Sequence, residues 1–127
     1  LHICKTMLTT MLSDNQAGFV KIKDLGIKLT EEIQSISKKN NKNKMICQGV
    51  NSMFQIFFTD QEKICNYRDF CRSVDRIKFR NFALKLFDKG IYMNPSATLH
   101  SLSSIIHTEK DIEVTARAIA ETLDEMP

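Results

Sequence analysis

The amino-acid sequence predicts an α+β fold, with a small, mostly antiparallel sheet and helices packed on one side of it. Two observations carry this prediction. Apolar residues recur at helical spacing near both ends of the chain, and they alternate with period two in its middle. The chain has 127 residues, of which 43% are hydrophobic and 26% charged, which is ordinary for one globular domain. We therefore expect a single domain over 1–127, with helices at about 1–39 and an α/β part at about 45–126.

The N-terminal third is predicted to form two helices. The first runs to Leu12 and is followed by Ser13–Asn15, whose short polar side chains compete for backbone hydrogen bonds and favour a break. The second covers Gln16–Lys39, and its apolar stripe continues unchanged across Gly26. The two stripes consist of Ile3, Cys4, Met7, Leu8, Met11 and Leu12, and of Phe19, Ile22, Leu25, Leu29, Ile33 and Ile36.

Two strands are predicted next, at Met45–Gln48 and Ser52–Thr59, with a turn or bulge at Gly49–Asn51 between them. The second strand is apolar on both faces. One face carries Phe54, Ile56 and Phe58, and the other carries Met53, Gln55 and Phe57. A strand of this kind is normally covered on both sides, so we expect something further to pack against it.

The second half of the chain is predicted to alternate short strands and helices. A helix that starts at Asp75 ends at Gly90, because glycine favours the left-handed conformation past a helix end. Thr108 and Asp111 have the spacing of a capping box before the last helix. The other elements are a loop at Asp60–Asn66, an irregular segment or helical turn at Tyr67–Ser73, strands at Ile91–Met93 and Leu102–Ile106, and a turn at Asn94–Ser96. The core positions of the two helices are Phe79, Phe82, Ala83, Leu86 and Phe87, and Ile112, Ala116, Ile119, Ala120 and Leu123.

The sequence contains no catalytic motif of its own, since it lacks glycine-rich phosphate loops, metalloprotease and nucleophile-elbow motifs. His100 and His107 are expected near opposite ends of one strand and on different faces, which argues against a shared metal or a proton relay. His107 is interpreted as a polar residue that precedes the Thr108 cap. On residues alone the chain resembles a helper domain rather than an enzyme, and a free-standing protein-interaction module is one alternative.

Composition restricts the partners and the compartment. A net charge of +3 is too small to indicate nucleic acid, and the basic run Lys38–Lys44 has no aromatic platform beside it, so we interpret it as a solvated linker. No apolar run approaches the ~20 residues that cross a bilayer, and no signal peptide is expected. The four cysteines show no metal-ligand spacing and are expected to be free, structural thiols in a cytoplasmic protein, with two disulfides as the alternative. They are Cys4, Cys47, Cys65 and Cys71.

One stretch of the chain resembles a known family. Gly49–Asp60 is similar to the G-x-S-M-F-x-x-F-F-T strand of the glutamate-1-semialdehyde 2,1-aminomutases, with an extra residue before the serine. Three further segments are similar to family motifs in the same order. They are Asn66–Asp69 followed by Asp75, Phe79–Ser96, and Ser104–Ile112. The resemblance covers about 45–126.

The resemblance implies a fold-type-I enzyme that depends on pyridoxal phosphate. Such an enzyme turns glutamate-1-semialdehyde into 5-aminolevulinate for tetrapyrrole synthesis. Only its C-terminal small domain is represented, so the Schiff-base lysine would lie upstream, and this chain alone is expected to be inactive and to bind no cofactor. Its expected partner is the large domain of the same enzyme, within a homodimer, and it would close over the active site. Leu1 is not an initiator Met, which fits a piece of a longer protein.

The resemblance also implies residues on the substrate side of the pocket. Ser52 and Met53 lie in the first motif, and Pro95, Ser96 and Leu99 lie in the P-S-x-x-E segment. The family has glutamate where this chain has Leu99. This departure leaves a related class-III aminotransferase open as an alternative to an aminomutase.

Overall fold

The computed structural model describes all residues, 1–127. Its elements are α1 (His2–Lys39), β1 (Met45–Val50), β2 (Met53–Phe58), α2 (Tyr67–Ser73), α3 (Arg76–Asp88), β3 (Ser101–Leu102) and α4 (Glu109–Glu125). The strands form one antiparallel sheet in the order β1-β2-β3, which confirms the predicted α+β class. None of the helices combines the length and the hydropathy of a membrane span.

The first helix is interrupted where the sequence predicts a break. Ser13–Gln16 has non-helical backbone angles, and φ is positive at the last three of these residues, at 49°, 55° and 65°. Aspartate and asparagine tolerate this left-handed conformation, whereas the Cβ of Gln16 makes it unfavourable. The interruption separates residues 1–12, called the N-terminal arm below, from residues 17–39 of α1.

Residues 17–39 pack on the sheet. The buried side chains of this stretch include Leu25, Leu29 and Ile33, which belong to the predicted stripe. Polar side chains of the same helix bond to β1, because Gln34 Nε2 donates to the Cys47 carbonyl at 3.4 Å and Ser37 Oγ donates to the Met45 carbonyl. These bonds occupy carbonyl groups of a strand at the edge of the sheet, which would otherwise be free for pairing.

The hairpin of β1 and β2 has a two-residue turn at Asn51 and Ser52, with a φ of 54° at Asn51. The turn predicted to begin at Gly49 is therefore placed too early, since Gly49 lies in β1 opposite Phe54. Close approach explains this glycine, because a Cβ would lie 2.6 Å from the Phe54 Cα. Gly26 of α1 approaches the turn in the same way, and a Cβ there would lie 2.5 Å from the Ser52 Cα.

Both faces of β2 are covered by other parts of the chain. On one face Phe58 packs against Phe82 of α3, with ring centroids 5.3 Å apart. On the other face Phe57 meets Phe70 of the short helix α2 at 6.0 Å, and Gln55 is buried. The apolar pattern of β2 predicts this double coverage, but segments of the chain itself provide it, and not the further partner that the pattern led us to expect.

The strand predicted at Ile91–Met93 is wrong. The Ile91 amide donates to the Leu86 carbonyl at 3.0 Å, so the segment completes the C-terminal turn of α3. Gly90 has a φ of 82° in that turn, as predicted for the end of this helix. Phe87 is also misplaced by the sequence pattern, because it is 60% exposed and contacts Tyr92 rather than the core.

The strand predicted at Leu102–Ile106 is reduced to Ser101–Leu102, which pairs with the start of β2. The chain leaves the sheet after this pair. The Ser104 amide donates to His107 Nδ1 at 2.8 Å, and the His107 amide donates back to the Ser104 carbonyl at 3.1 Å. The imidazole of His107 therefore accepts the hydrogen bond that a neighbouring strand would otherwise accept from Ser104. The alternation of apolar residues carries no sign of such a bond.

Side chains cap the last three helices at their N-termini. The caps are Asn66 for α2, Asp75 for α3 and Thr108 for α4. The cap at Asn66 makes Tyr67–Ser73 a helix, which the sequence left open. The predicted capping box is confirmed, since Thr108 Oγ accepts from the Asp111 amide and the Asp111 carboxylate accepts from the Thr108 amide. Of the predicted core positions in α4, Ile112, Ala116, Ile119 and Leu123 are buried and Ala120 is half-buried.

Replacing Thr108 with alanine is expected to lower the free energy of unfolding by about 1 kcal/mol, the usual size of an N-cap. The Asp111 carboxylate accepts hydrogen bonds from the hydroxyl and the amide of Thr108. These bonds, the one from the hydroxyl more than the one from the amide, hold the pKa of the Asp111 carboxyl below its ordinary value. The stabilisation from Asp111 is present above its unfolded-state pKa and is lost as pH falls through the lowered folded-state pKa.

Urea unfolding of Thr108→Ala from neutral pH down to about pH 2 measures both effects. The difference in the free energy of unfolding between Thr108→Ala and wild type should become smaller at the acid end of this range. Glu113→Gln is the control, because Glu113 is an exposed carboxylate on the same helix, outside the box. A difference that stays constant across the whole pH range would contradict the role given to Asp111.

Candidate functional site

The residues predicted on the substrate side come from two segments, and the structure brings these segments together. Ser52 and Met53 stand at the start of β2. The chain from 94 to 103 runs beside that start, because Met53 pairs with Leu102 and the Ser103 amide donates to the Ser52 carbonyl at 2.9 Å. Pro95, Ser96 and Leu99 lie in this second segment. The site residues therefore share one end of the sheet.

Residues 94–99 form a compact turn, called the 94–99 segment below. The Ser96 amide donates to Asn94 Oδ1 at 2.9 Å, and the Leu99 amide donates to the Ser96 carbonyl at 3.1 Å. The hydroxyls of Ser96 and Thr98 are 2.8 Å apart. Ala97 is buried at the base of the turn, whereas Leu99 is 51% exposed. The segment thus presents a hydroxyl and an apolar side chain outward.

A cleft of about 670 Å³ lies between this end of the sheet and the start of α4. Leu29 and Phe54 form part of its apolar wall. Its polar lining includes Tyr92, Asn94, His100, Ser101, His107 and Asp111. The sequence predicts His100 and His107 on different faces of one strand, and this is wrong, because the chain turns after Leu102 and both histidines line the same cleft. Only the folded chain brings them to one cavity.

Two of these titratable groups already serve the start of α4. His107 Nδ1 accepts the Ser104 amide hydrogen, so a neutral imidazole carries its proton on Nε2. The Asp111 carboxylate accepts from the amide and the hydroxyl of Thr108, each at 2.7 Å. Their placement supports the interpretation of His107 as a structural neighbour of the cap. Tyr92 and His100 are the groups of the cleft that no such bond occupies.

The residues of this chain do not fit pyridoxal phosphate. A covalent site for this cofactor needs a lysine amine inside an enclosed pocket, and no lysine lines the cleft. Three lysines are held in surface ion pairs instead. These pairs are Lys28 with Glu109 at 3.1 Å, Lys44 with Asp60 at 3.2 Å, and Lys89 with Glu125 at 2.8 Å. We therefore derive no chemical step through the cofactor from these residues.

The cysteines do not form a cluster. Cys47 lies in β1, and burial raises the pKa of its thiol to about 12, so it stays protonated and acts as a core residue. Cys4, Cys65 and Cys71 are free and exposed. A structural role for all four thiols is therefore wrong, because three of them contribute nothing to the core.

The N-terminal arm is a second candidate surface. Its predicted apolar stripe exists but is not buried by the rest of the chain, since Ile3 is 80% exposed and Met7 65%. Leu8 and Leu12 are also more than half exposed. Exposed apolar area of this extent, continuous along one helix, is typical of a contact surface.

No family model matches the chain. Over 108 residues the chain is 34% identical to the glutamate-1-semialdehyde 2,1-aminomutase of Clostridium kluyveri, covering 85% of this chain and 25% of that protein. The protein of the same name from Thermus thermophilus is 29% identical over 113 residues, with 89% and 26% covered. The chain thus spans about a quarter of the length of these curated relatives.

Solved structures share the fold at lower identity. A β-phenylalanine aminotransferase from Variovorax paradoxus superposes with a TM-score of 0.76 at 19% identity, over 91% of this chain and 26% of that one. A glutamate-1-semialdehyde aminomutase from Pseudomonas aeruginosa in complex with PMP gives 0.75 at 13% identity, over 87% and 24%. An omega-transaminase from Sphaerobacter thermophilus gives 0.66 at 16% identity, over 84% and 24%.

The fold is therefore that of the C-terminal domain of fold-type-I aminotransferases. By sequence, the chain is a relative of a segment of the glutamate-1-semialdehyde 2,1-aminomutases, and the resemblance predicted from its motifs is confirmed.

Proposed function

We propose that the chain is the small domain of a pyridoxal-phosphate-dependent glutamate-1-semialdehyde 2,1-aminomutase, which forms 5-aminolevulinate for tetrapyrrole synthesis. The observation that carries this proposal is the 34% identity to an aminomutase over 85% of the chain. The remainder of the enzyme would contain the Schiff-base lysine and would hold the cofactor. Bound there, pyridoxal phosphate supplies an electron sink for moving the amino group. The free thiols support a cytoplasmic location, because disulfides persist mainly in oxidising compartments.

The role proposed for this chain is to close over the active site. The end of the sheet that carries Ser52, Met53 and the 94–99 segment would face the large domain. Met53 is 45% exposed, and Leu99 and Leu102 are 51% and 66% exposed. Apolar side chains at this end of the sheet would exclude water from the active site when the domains close.

A class-III aminotransferase is the second candidate, and the side chain at position 99 favours it. The resembled family has glutamate where this chain has Leu99, and Leu99 lies in the outward turn of the 94–99 segment. An apolar side chain at this point suits a substrate that presents an apolar group there. The fold supports an aminotransferase as well as it supports an aminomutase, because the chain superposes on solved structures of both kinds.

The partner proposed for the N-terminal arm is the large domain of the same protein, within a homodimer. The chain spans about a quarter of its curated relatives, so a much larger body of the same protein would be available to cover the arm. The open alternative is a free-standing module whose arm binds a different protein.

The chain alone, mixed with pyridoxal phosphate and desalted, is expected to keep no internal-aldimine absorbance. No lysine lines the cleft, and the smaller pocket that Lys42, Lys44 and Lys78 line is open to solvent rather than enclosed. The full-length protein under the same treatment is the positive control and should retain the absorbance. A stoichiometric lysine adduct, trapped at one position of this chain by borohydride, would contradict the proposal.

Changing Leu99 to glutamate in the full-length protein distinguishes the two candidate activities. In an aminomutase the restored acid should raise turnover of glutamate-1-semialdehyde by about ten- to a hundredfold, since one hydrogen bond to a charged group is worth ~1.5–3 kcal/mol. In an aminotransferase that places an apolar substrate group against Leu99, the same change should lower activity.

Turnover of glutamate-1-semialdehyde and of a panel of ω-amino donors measures this difference. Leu84→Glu is the matched control, because Leu84 on α3 is 50% exposed, close to the 51% of Leu99. Identical activity of Leu99→Glu and wild type on every substrate would show that position 99 lies outside the active site.

Deleting residues 1–12 tests the partner of the arm. In the isolated chain the deletion should abolish concentration-dependent self-association measured by sedimentation, because the exposed apolar stripe is removed. In the full-length protein it should instead weaken the contact between the domains. A monomeric wild-type chain at high concentration, with slow amide exchange throughout the arm, would argue against an uncovered contact surface.

A further inference from the structure

The 94–99 segment is attached to the rest of the chain by one hydrogen bond. Its other hydrogen bonds, from the Ser96 and Leu99 amides and between the Ser96 and Thr98 hydroxyls, stay inside the segment. The exception is the bond from Gln55 Nε2 to the Ala97 carbonyl, at 3.0 Å. Apolar anchoring is small, because Ala97 is the one buried side chain of the segment and it offers only a methyl group.

Gln55 is an unusual choice for its position. It is only 4% exposed and lies on the face of β2 where Phe57 packs against Phe70. A buried carboxamide is unfavourable unless it is hydrogen-bonded, and an apolar side chain would suit the surroundings better. Gln55 Oε1 has no partner, and Gln55 Nε2 makes its shorter bond to the Ala97 carbonyl, at 3.0 Å, and a longer one of 3.5 Å to the carbonyl of the adjacent Ile56. The bond to the segment is therefore the structural reason for a glutamine here.

A second glutamine provides an internal comparison. Gln48 of β1 stands directly opposite Gln55 in the sheet. Gln48 bonds to a different loop, since its Oε1 accepts from the Ile64 amide at 2.7 Å and its Nε2 donates to the Ile64 carbonyl at 3.2 Å. The pair thus holds two loops on one face of the sheet, and only the loop held by Gln55 carries predicted site residues.

We propose that Gln55 is a positioning residue, which fixes the 94–99 segment to the sheet and thereby sets where Ser96 and Leu99 stand relative to the substrate. This inference rests on the function proposed above. Gln55 acts through the backbone of Ala97 and does not itself touch substrate. The resembled strand motif leaves this position unspecified, so the glutamine is a feature of this chain rather than of the motif.

The first test measures the attachment in the chain itself. Gln55→Met keeps the length of the side chain and removes the donor. The Ser96 and Leu99 amides should then exchange about tenfold faster relative to the amides of the β1–β2 ladder, the effect expected for one lost hydrogen bond. Gln48→Met is the matched control and should accelerate the Ile64 amide instead. Unchanged exchange at Ser96 and Leu99 in Gln55→Met would overturn the inference.

Gln55→Glu gives a reversible version of the same test, which also serves if the methionine variant does not fold. An ionised carboxylate cannot donate to the Ala97 carbonyl, whereas the protonated acid can. Protection of Ser96 and Leu99 should therefore be lost above the pKa of the new carboxyl, which burial at position 55 raises, and should return as pH falls through that pKa. The wild-type segment should show no such titration. Protection that does not respond to pH in Gln55→Glu would count against the inference.

The second test uses the full-length enzyme. Gln55→Met should raise KM by about three- to tenfold for substrates that reach Leu99, with kcat changed less, because the segment contributes binding rather than chemistry. Gln48→Met should leave both constants near wild type. If Gln55→Met and Gln48→Met are both active and have the same KM, the inference about Gln55 is overturned, while the proposed function stands. A wild-type enzyme without pyridoxal-phosphate-dependent amino transfer would instead overturn the proposed function.

Discussion

The requirement that β2 be covered on both faces determines most of this structure. Phe58 on one face and Phe57 on the other each need an aromatic partner, and these partners come from α3 and α2. The strand therefore has to lie between the main helical core and a second layer made of short segments. Those short segments include α2 and the 94–99 segment, whose placement is set by β2 rather than by secondary structure of their own.

This constraint explains why the candidate site lies where it does. The first residues of β2 pair with the two-residue strand β3, and the chain before β3 forms the outward turn with Ser96 and Leu99. The cleft beside this chain is lined by His100 and His107. The outward turn with Ser96 and Leu99 and the cleft with its two imidazoles are thus built on adjacent residues of one segment.

Sequence reasoning succeeded where the determinants are local. The break at Ser13–Gln16, the capping box at Thr108 and the helix end at Gly90 are all set by a few consecutive residues, and each is confirmed. The motif resemblance also placed the chain among its relatives. The sequence pattern mispredicts residues whose partner belongs to neither a strand nor the core. The segment predicted as a strand at Ile91–Met93 instead hydrogen-bonds to the C-terminal turn of α3, through the Ile91 amide. Phe87 points outward and contacts Tyr92.

The cleft and the bond from Gln55 to Ala97 could not be predicted at all, since both join segments that are far apart in sequence. Spacing alone suggested that His100 and His107 diverge, because it assumed that the strand continues to Ile106. Once the chain turns at Ser104, the two imidazoles reach one cavity. The position of a turn, and not the identity of the residues, decided this part of the site.

The left-handed residues at 14–16 have a consequence for the cooperativity of folding. Helix hydrogen bonds do not propagate across them, so the N-terminal arm has to nucleate its helix separately from residues 17–39. An isolated helix shorter than ~12–15 residues is marginal in water, even with favourable residues. Part of the free energy of any contact made by the arm is therefore spent on ordering the arm, and its affinity falls below what its apolar area alone would give.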